Sequence, residues 1–233
     1  MIRSLLCIVY SGFWCFLAVV TLLISPNSSE FVLLQYAKRY WSTPMLKWII
    51  GAKIDVIISP KAQELFDSKK GAIIMANHSS SLDITACFVS SPSPIVYLAK
   101  ASIRKIPFLG LANARVGTVF VERGNKKSTL KAISKLVNTV KEGRSVVVFP
   151  EGTRSTDGSI KKFKKGGFHL AMQADAPIIP VFISGTNKRL PPGSFRIKNV
   201  EDPIIVKYGD PIRSNNVDEL RDLTYNSICK LRG

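Results

Sequence analysis

The stretch "GAIIMANHSSSLDITACFV", residues 71–89, decides the fold. Ala72 to Ala76 are apolar at consecutive positions, the pattern of a strand covered on both faces of a parallel sheet. Asn77 and His78 follow at once, and three serines lead into an apolar run that reads as a helix beginning. Five more short apolar runs recur downstream: "IVYLA" (95–99), "VGTVFV" (116–121), "SVVVF" (145–149), "IIPVFI" (178–183) and "IIVKY" (204–208). Between two of them, "STLKAISKLVNTVKEG" (128–143) places Leu130, Ile133, Leu136, Val137 and Val140 on one helical stripe. Ser128 is its expected N-cap, Gly143 its stop, and Lys131, Lys135 and Lys141 its solvated face. Strands alternating with helices predict an α/β fold, a mostly parallel sheet flanked by helices.

In open α/β sheets, ligands collect at the carboxyl ends of strands. His78 stands at such an end, and it is one of only two histidines in the chain. Positions five apart on one helix are about 140° apart, so His78 and Asp83 would not meet if both were helical. They meet if His78 is on the turn and Asp83 is in the first helical turn, where the helix dipole favours a carboxylate. A carboxylate on one imidazole nitrogen fixes the tautomer and leaves the other nitrogen as a base. The spacing equally allows a surface histidine that never touches Asp83. No other residues stand at metal-ligand spacing, so no metal is expected. Ser79, Ser80 and Ser81 read as capping residues, since no G-x-S-x-G elbow exists. His169, in "GGFHLAMQADA", reads as structural or surface.

A second strand end carries "FPEGTRS" (149–155). Its proline, glycine and hydroxyl residues predict a tight turn offering backbone amides, and Arg154 brings a fork of donors for phosphate or carboxylate. Glu151 is placed to bind a substrate hydroxyl or to hold Arg154; an internal Glu–Arg pair on a plain polar turn fits the composition too. A third strand end, "VFVERG" (119–124), puts Arg123 where it can face the same crevice. The G-x-x-x-x-G-K-[ST] pattern of nucleotide hydrolysis does not occur.

Ahead of the α/β region, Ile2 to Ile24 carries one charge, Arg3, and is long enough at roughly 34 Å to cross a bilayer core. A cleaved signal peptide fits poorly, because the apolar run is overlong and no small-x-small site precedes Ser25-Pro26. After the break at 26–29, "EFVLLQYAKRYWSTPMLKWIIG" (30–51) mixes aromatics with cations. That suits a helix at a membrane interface or one packed on the soluble body. The expected organisation is a membrane-anchoring helical pair over 1–53 and a catalytic α/β domain over 54–233. A single span and a re-entrant hairpin both remain open. The net charge of +17 falls beyond residue 37, since residues 1–37 hold only Arg3 and Glu30. Such a surface attracts nucleic acid, anionic lipid or an acidic carrier protein. The basic residues alternate with β-core runs rather than exposed aromatics, which argues against nucleic acid. Four cysteines without a CxxC pair suit a reducing, cytosol-facing location.

Four blocks in order make the chain resemble the glycerolipid acyltransferase family, which includes the 1-acyl-glycerol-3-phosphate acyltransferases. They are "NHSSSLD" (77–83), "IPFLG" (106–110) running on through "VGTVFVER" (116–123), "FPEGTRS" with the spaced "FKKG" (163–166), and "APIIPVFISG" (176–185). The resemblance implies acyl transfer from acyl-CoA or acyl-acyl-carrier-protein to the free hydroxyl of 1-acyl-glycerol-3-phosphate, or to another lysolipid acceptor. It makes His78 the general base and Asp83 its orienting partner. Arg123 becomes a ligand of the acceptor phosphate, Glu151, Gly152, Thr153 and Arg154 shape the acceptor site, and Lys100 is a further phosphate contact. It implies no cofactor beyond the acyl thioester co-substrate. Its expected partners are membrane lipids, the lysophosphatidate acceptor and acyl-CoA or acyl carrier protein. The expected location is a bacterial inner membrane, with the catalytic domain facing the cytoplasm.

Overall fold

A computed structural model describes residues 2–122 and 126–233. Arg123 lies outside the described residues. The described strands are β1 (Ile54–Ile58), β2 (Ile73–Ala76), β3 (Ile95–Lys100), β4 (Val119–Val121), β5 (Ser145–Val148), β6 (Ile178–Ser184) and β7 (Ile204–Tyr208). They form one sheet in the order β1-β7-β6-β2-β5-β3-β4. From β6 to β4 all neighbours are parallel. β7 then runs antiparallel to β6, and β1 parallel to β7. The sheet is therefore mostly parallel, as the apolar runs predicted.

Every residue of β2 and β5 is buried, and so is β6 through Ile183. These three strands are neighbours, with Ala76 opposite Val181 and Met75 opposite Val148. The loops that leave Ala76, Val148 and Ser184 thus emerge together at one edge of the sheet.

Several local expectations need adjustment. β1 is a strand that the apolar runs did not reveal, because it is a sheet edge with exposed middle residues and an aspartate at its second position. Extended structure in 116–121 starts only at Val119, since Gly117 takes a φ of 101° in the turn before it. The helix Lys126–Lys141 starts ahead of Ser128, which is not the N-cap; its Oγ accepts the Glu122 N–H at 3.1 Å. Ile133, Leu136 and Val140 are buried as the stripe requires. Gly143 does end the helix, with φ 86°, and a Cβ there would stand 2.8 Å from the Lys69 carbonyl oxygen.

Among the described residues, Ile2–Ile24 is the one helix long and apolar enough to cross a membrane, by length and composition. Residues 29–50 form a second helical stretch, wound mostly with π geometry. The two lie side by side as a hairpin: Thr21 Oγ1 donates to Tyr36 Oη (3.1 Å), Trp14 stacks on Tyr40, and Trp41 Nε1 donates to Ser11 Oγ (2.8 Å). The second stretch buries Leu33, Leu46 and Ile50, and Trp41 packs edge-on against Phe88 of the helix Leu82–Ser90. Phe31 and Trp48 stay exposed, so this stretch both packs on the body and keeps an apolar outer face.

Candidate active site

His78 and Asp83 meet. The turn after β2 ends at Ser81 and the helix Leu82–Ser90 begins at once, so Asp83 stands in its first turn and His78 outside it. His78 Nδ1 is 2.8 Å from Asp83 Oδ2. The same carboxylate oxygen accepts the Ser79 N–H (2.8 Å) and the Ser80 N–H (2.9 Å). Asp83 Oδ1 accepts a hydrogen bond from Thr186 Oγ1 at 2.6 Å. Asp83 is fully buried, and four donors around its two oxygens match the acceptor capacity of an ionised carboxylate. Its acceptor role makes Nδ1 the protonated nitrogen of a neutral His78 and leaves Nε2 with a free lone pair.

The imidazole is also held by its faces and its backbone. Its ring stacks on Phe149 at 4.0 Å between centroids, 15° from parallel. The His78 N–H donates to Glu151 Oε1 (2.8 Å), and the His78 carbonyl accepts the Ser155 N–H (2.7 Å). Asn77 bonds both the N–H and the carbonyl of Ile183, carrying the β2–β6 pairing one residue past the strand. Only 14% of the His78 side chain is exposed. Nε2 has no hydrogen-bond partner among the described residues, so a hydroxyl brought to it can hand over its proton.

The loop 149–155 comes next to this pair, and its residues divide. Glu151 is buried and does not hold Arg154; its second oxygen accepts the Lys161 N–H at 3.0 Å. Burial pushes its carboxyl above the ordinary glutamate range, against the pull of the two amide donors. Gly152 takes φ 71°, and a Cβ on it would stand 3.0 Å from Lys164 Nζ. Thr153 is exposed. Arg154 turns back over the histidine turn, and its Nη1 donates to Ser81 Oγ at 2.6 Å. Lys100 is exposed at the carboxyl end of β3, in register with Val121, the last residue of β4. Among the described residues no group of three His, Cys, Asp or Glu side chains is placed to hold a metal ion.

The apolar runs did not single out Thr186 or Phe149 as parts of this cluster. Thr186 follows Gly185, whose φ of 83° turns the chain sharply out of β6; a Cβ there would stand 2.7 Å from the Pro203 carbonyl oxygen. Thr186→Val would leave Asp83 Oδ1 without its donor at a fully buried position. It is expected to destabilise the fold by about 1–3 kcal/mol, read as a lower midpoint in denaturant, whereas Thr186→Ser keeps the hydroxyl and stays near wild type.

A family model described as Acyltransferase matches residues 57–184, a span that holds the histidine turn, the loop 149–155 and the end of β6. The chain belongs to the acyltransferase family. Among curated members it is 35% identical over 178 residues to a 1-acyl-sn-glycerol-3-phosphate acyltransferase of Limnanthes douglasii, covering 75% of this chain and 60% of that one. It is 36% identical over 153 residues to the protein of that name from Borreliella burgdorferi, covering 66% and 57%. The chain thus spans less than two thirds of the length of these relatives. The crystal structure of the 1-acyl-sn-glycerophosphate (LPA) acyltransferase PlsC from Thermotoga maritima shares the fold, with a TM-score of 0.73. The match is 24% identical and covers 99% of this chain and 95% of that one.

Proposed function

We propose that this acyltransferase moves a fatty acyl group from an acyl thioester, acyl-CoA or acyl-acyl-carrier-protein, to the free hydroxyl of 1-acyl-glycerol-3-phosphate, giving phosphatidic acid. The observation that carries the proposal is the buried Asp83–His78 pair with Nε2 open at the edge where three strand ends meet. The acceptor hydroxyl donates to Nε2 and loses its proton there as its oxygen attacks the thioester carbonyl carbon. The new C–O bond forms, the C–S bond breaks, and the proton on Nε2 passes to the departing sulfur. Asp83 stabilises the imidazolium between these events. A thioester is already an activated acyl donor, so the scheme calls for no covalent enzyme intermediate and no metal or resident cofactor.

The acceptor's phosphate needs cations, and the proposal assigns it to Arg154 and Arg123, with Lys100 as a further contact. Hydrogen bonds to charged groups are worth about 1.5–3 kcal/mol, roughly 10- to 150-fold in affinity. Arg154→Ala should therefore raise the acceptor KM by that factor and leave kcat nearly unchanged. A raised thioester KM with normal acceptor kinetics would move Arg154 to the donor site. The reading as a whole is tested by offering a panel of lysolipids and acyl thioesters in detergent. Thioester consumption should depend on lysophosphatidate; a preference for a phosphate-free acceptor would overturn the reading.

Residues 1–53 serve, in this reading, as the membrane anchor of a catalytic domain over 54–233. The helix Ile2–Ile24 touches the body near both ends. Ser4 Oγ donates to the Phe195 carbonyl and Arg3 to the Asn199 side chain, while Arg115 Nη1 lies 3.5 Å from the Leu22 carbonyl oxygen. A helix crossing the bilayer would carry one of these ends roughly 30 Å from the body. The contacts favour a hairpin lying in one leaflet, with Leu5, Val9, Phe13 and Phe16 turned to lipid. Cys87 and Cys229, the two cysteines of the body, are free thiols, which suits the cytoplasmic side.

A further inference from the structure

We infer that the catalytic body carries its own bilayer-docking surface. It is made of two loop tips that flank the helix Ile2–Ile24 at the carboxyl edge of the sheet, and it fits an anionic lipid headgroup layer. This rests on the reading that the acceptor is a membrane lipid, but it concerns segments outside the anchor.

The first tip follows β3. Residues 104–108 are all exposed, and the run reads Arg-Lys-Ile-Pro-Phe, two cations followed by two large apolar side chains. Phe108 sits at the centre of a tight turn, φ 56° and ψ −47°, in which the Leu109 N–H reaches the Pro107 carbonyl at 2.6 Å. A positive φ on a bulky residue is a costly backbone state that persists only when something holds it. Its product is a phenyl ring pushed outward, edge-on to Phe16 of the anchor helix at 5.4 Å. Leu111, one helical step on, is exposed as well. The apolar outer stripe of the anchor thus continues onto the body.

The second tip follows β6. Phe195 is 81% exposed and stands beside Arg196, with Lys198 close by. A side chain so exposed would ordinarily mark a floppy loop, yet the base of this one is clamped. Arg189 is buried, and its Nη2 donates to the carbonyls of Val200 (2.7 Å) and Asp202 (2.5 Å). The Lys198 N–H returns to the Arg189 carbonyl at 2.8 Å. With Nη2 on these two loop carbonyls and Nη1 donating to the Gly185 carbonyl at 3.3 Å, the guanidinium ties the base of the tip to the end of β6 and presents Phe195 outward. This tip also meets the anchor, through Ser4 and Arg3.

Neither 101–111 nor 190–199 contains an acidic residue. Aromatic side chains beside unopposed cations match the headgroup region, where rings sit at the boundary and cations meet anionic lipid. Both tips leave the same sheet edge as the turn bearing His78, and the second is joined to that turn by Ser80 Oγ, which donates to the Leu190 carbonyl at 2.7 Å. Docking them would hold the mouth of the site against the leaflet that supplies the acceptor.

Hydrogen exchange on the full chain tests this, comparing phosphatidylglycerol-containing vesicles with neutral detergent micelles. Amides within 104–111 and 193–199 should exchange more slowly on the vesicles; unchanged exchange in both segments, with protection confined to residues 2–50, would overturn the inference. The triple variant Phe195→Ser, Arg196→Gln, Lys198→Gln adds a functional readout. Turnover of lysophosphatidate embedded in anionic vesicles should fall on the order of tenfold, the factor that 1.4 kcal/mol represents. Turnover of a short-chain, water-soluble lysophosphatidate should stay at wild type. An equal loss on both acceptors would make the loop part of the substrate pocket instead, and no loss on either would remove it from the membrane contact. Absence of any turnover in the wild type would count against the proposed activity, while the exchange experiment would still decide the docking.

Discussion

His78→Ala is expected to lower kcat by about 10²–10⁴, the usual contribution of a positioned general base, with the fold intact. The backbone of His78 is clamped by Glu151 and by the Ser155 N–H, neither of which uses the imidazole. Removing the ring costs its stack on Phe149 but leaves the turn in place. Asp83 keeps three of its four donors, those from Ser79, Ser80 and Thr186. The loss should therefore appear in turnover at saturating substrate, while circular dichroism and the unfolding midpoint stay close to wild type. His169→Ala is the control. That side chain is exposed on the helix Gly166–Gln173, and the variant should turn over at the wild-type rate. A dead His169→Ala beside an active His78→Ala would reverse the assignment.

What the sequence made legible, and what it left hidden, follows from how far apart the partners lie along the chain. The His78–Asp83 pair spans five residues, and a strand–turn–helix reading places both without knowing where anything else goes. The contact from Glu151 spans 73 residues and the one from Thr186 spans 103. Each depends on β5 and β6 flanking β2, and an apolar run says that a strand is buried without saying beside which neighbour. Glu151 was accordingly expected to face a substrate or Arg154; the structure spends it on the His78 and Lys161 amides. Continuous apolar runs predict a mostly parallel sheet without saying which strand departs from it. β7 reads as an ordinary apolar strand, yet it pairs antiparallel with β6 and brings β1 in behind it. β1 itself escaped because an edge strand with exposed middle residues lacks the continuous apolar signature of β2 and β5. The buried Arg189 carried no sequence signal either, since nothing local distinguishes an arginine that caps loop carbonyls from one that meets solvent.

The two substitutions of Asp83 should part company, and the arrangement of its donors says how. In a serine-protease triad, Asp→Asn costs about 10⁴ because the amide admits the wrong imidazole tautomer. At position 83 the Ser79 and Ser80 N–H groups both point at the oxygen that meets His78, so an asparagine must turn its carbonyl oxygen to that side. Its NH₂ then faces Thr186 Oγ1, a hydroxyl that can accept as well as donate. Asp83→Asn should therefore keep the tautomer and the fold and lose only the negative charge that stabilises the imidazolium during transfer. The expected fall in kcat is on the order of 10², the range seen when one electrostatic stabiliser is removed, with acceptor KM little changed. Asp83→Ala has no such refuge. It strands two backbone amides and a hydroxyl in the buried turn, each costing about 1–3 kcal/mol when left unsatisfied. That variant should lose at least about 3 kcal/mol of stability, measured in denaturant, besides its activity. If Asp83→Asn proved as destabilised as Asp83→Ala, the amide would not have been oriented by Ser79 and Ser80. If it fell by a full 10⁴ while remaining folded, the tautomer would have been lost after all, and the donor arrangement would not govern the imidazole.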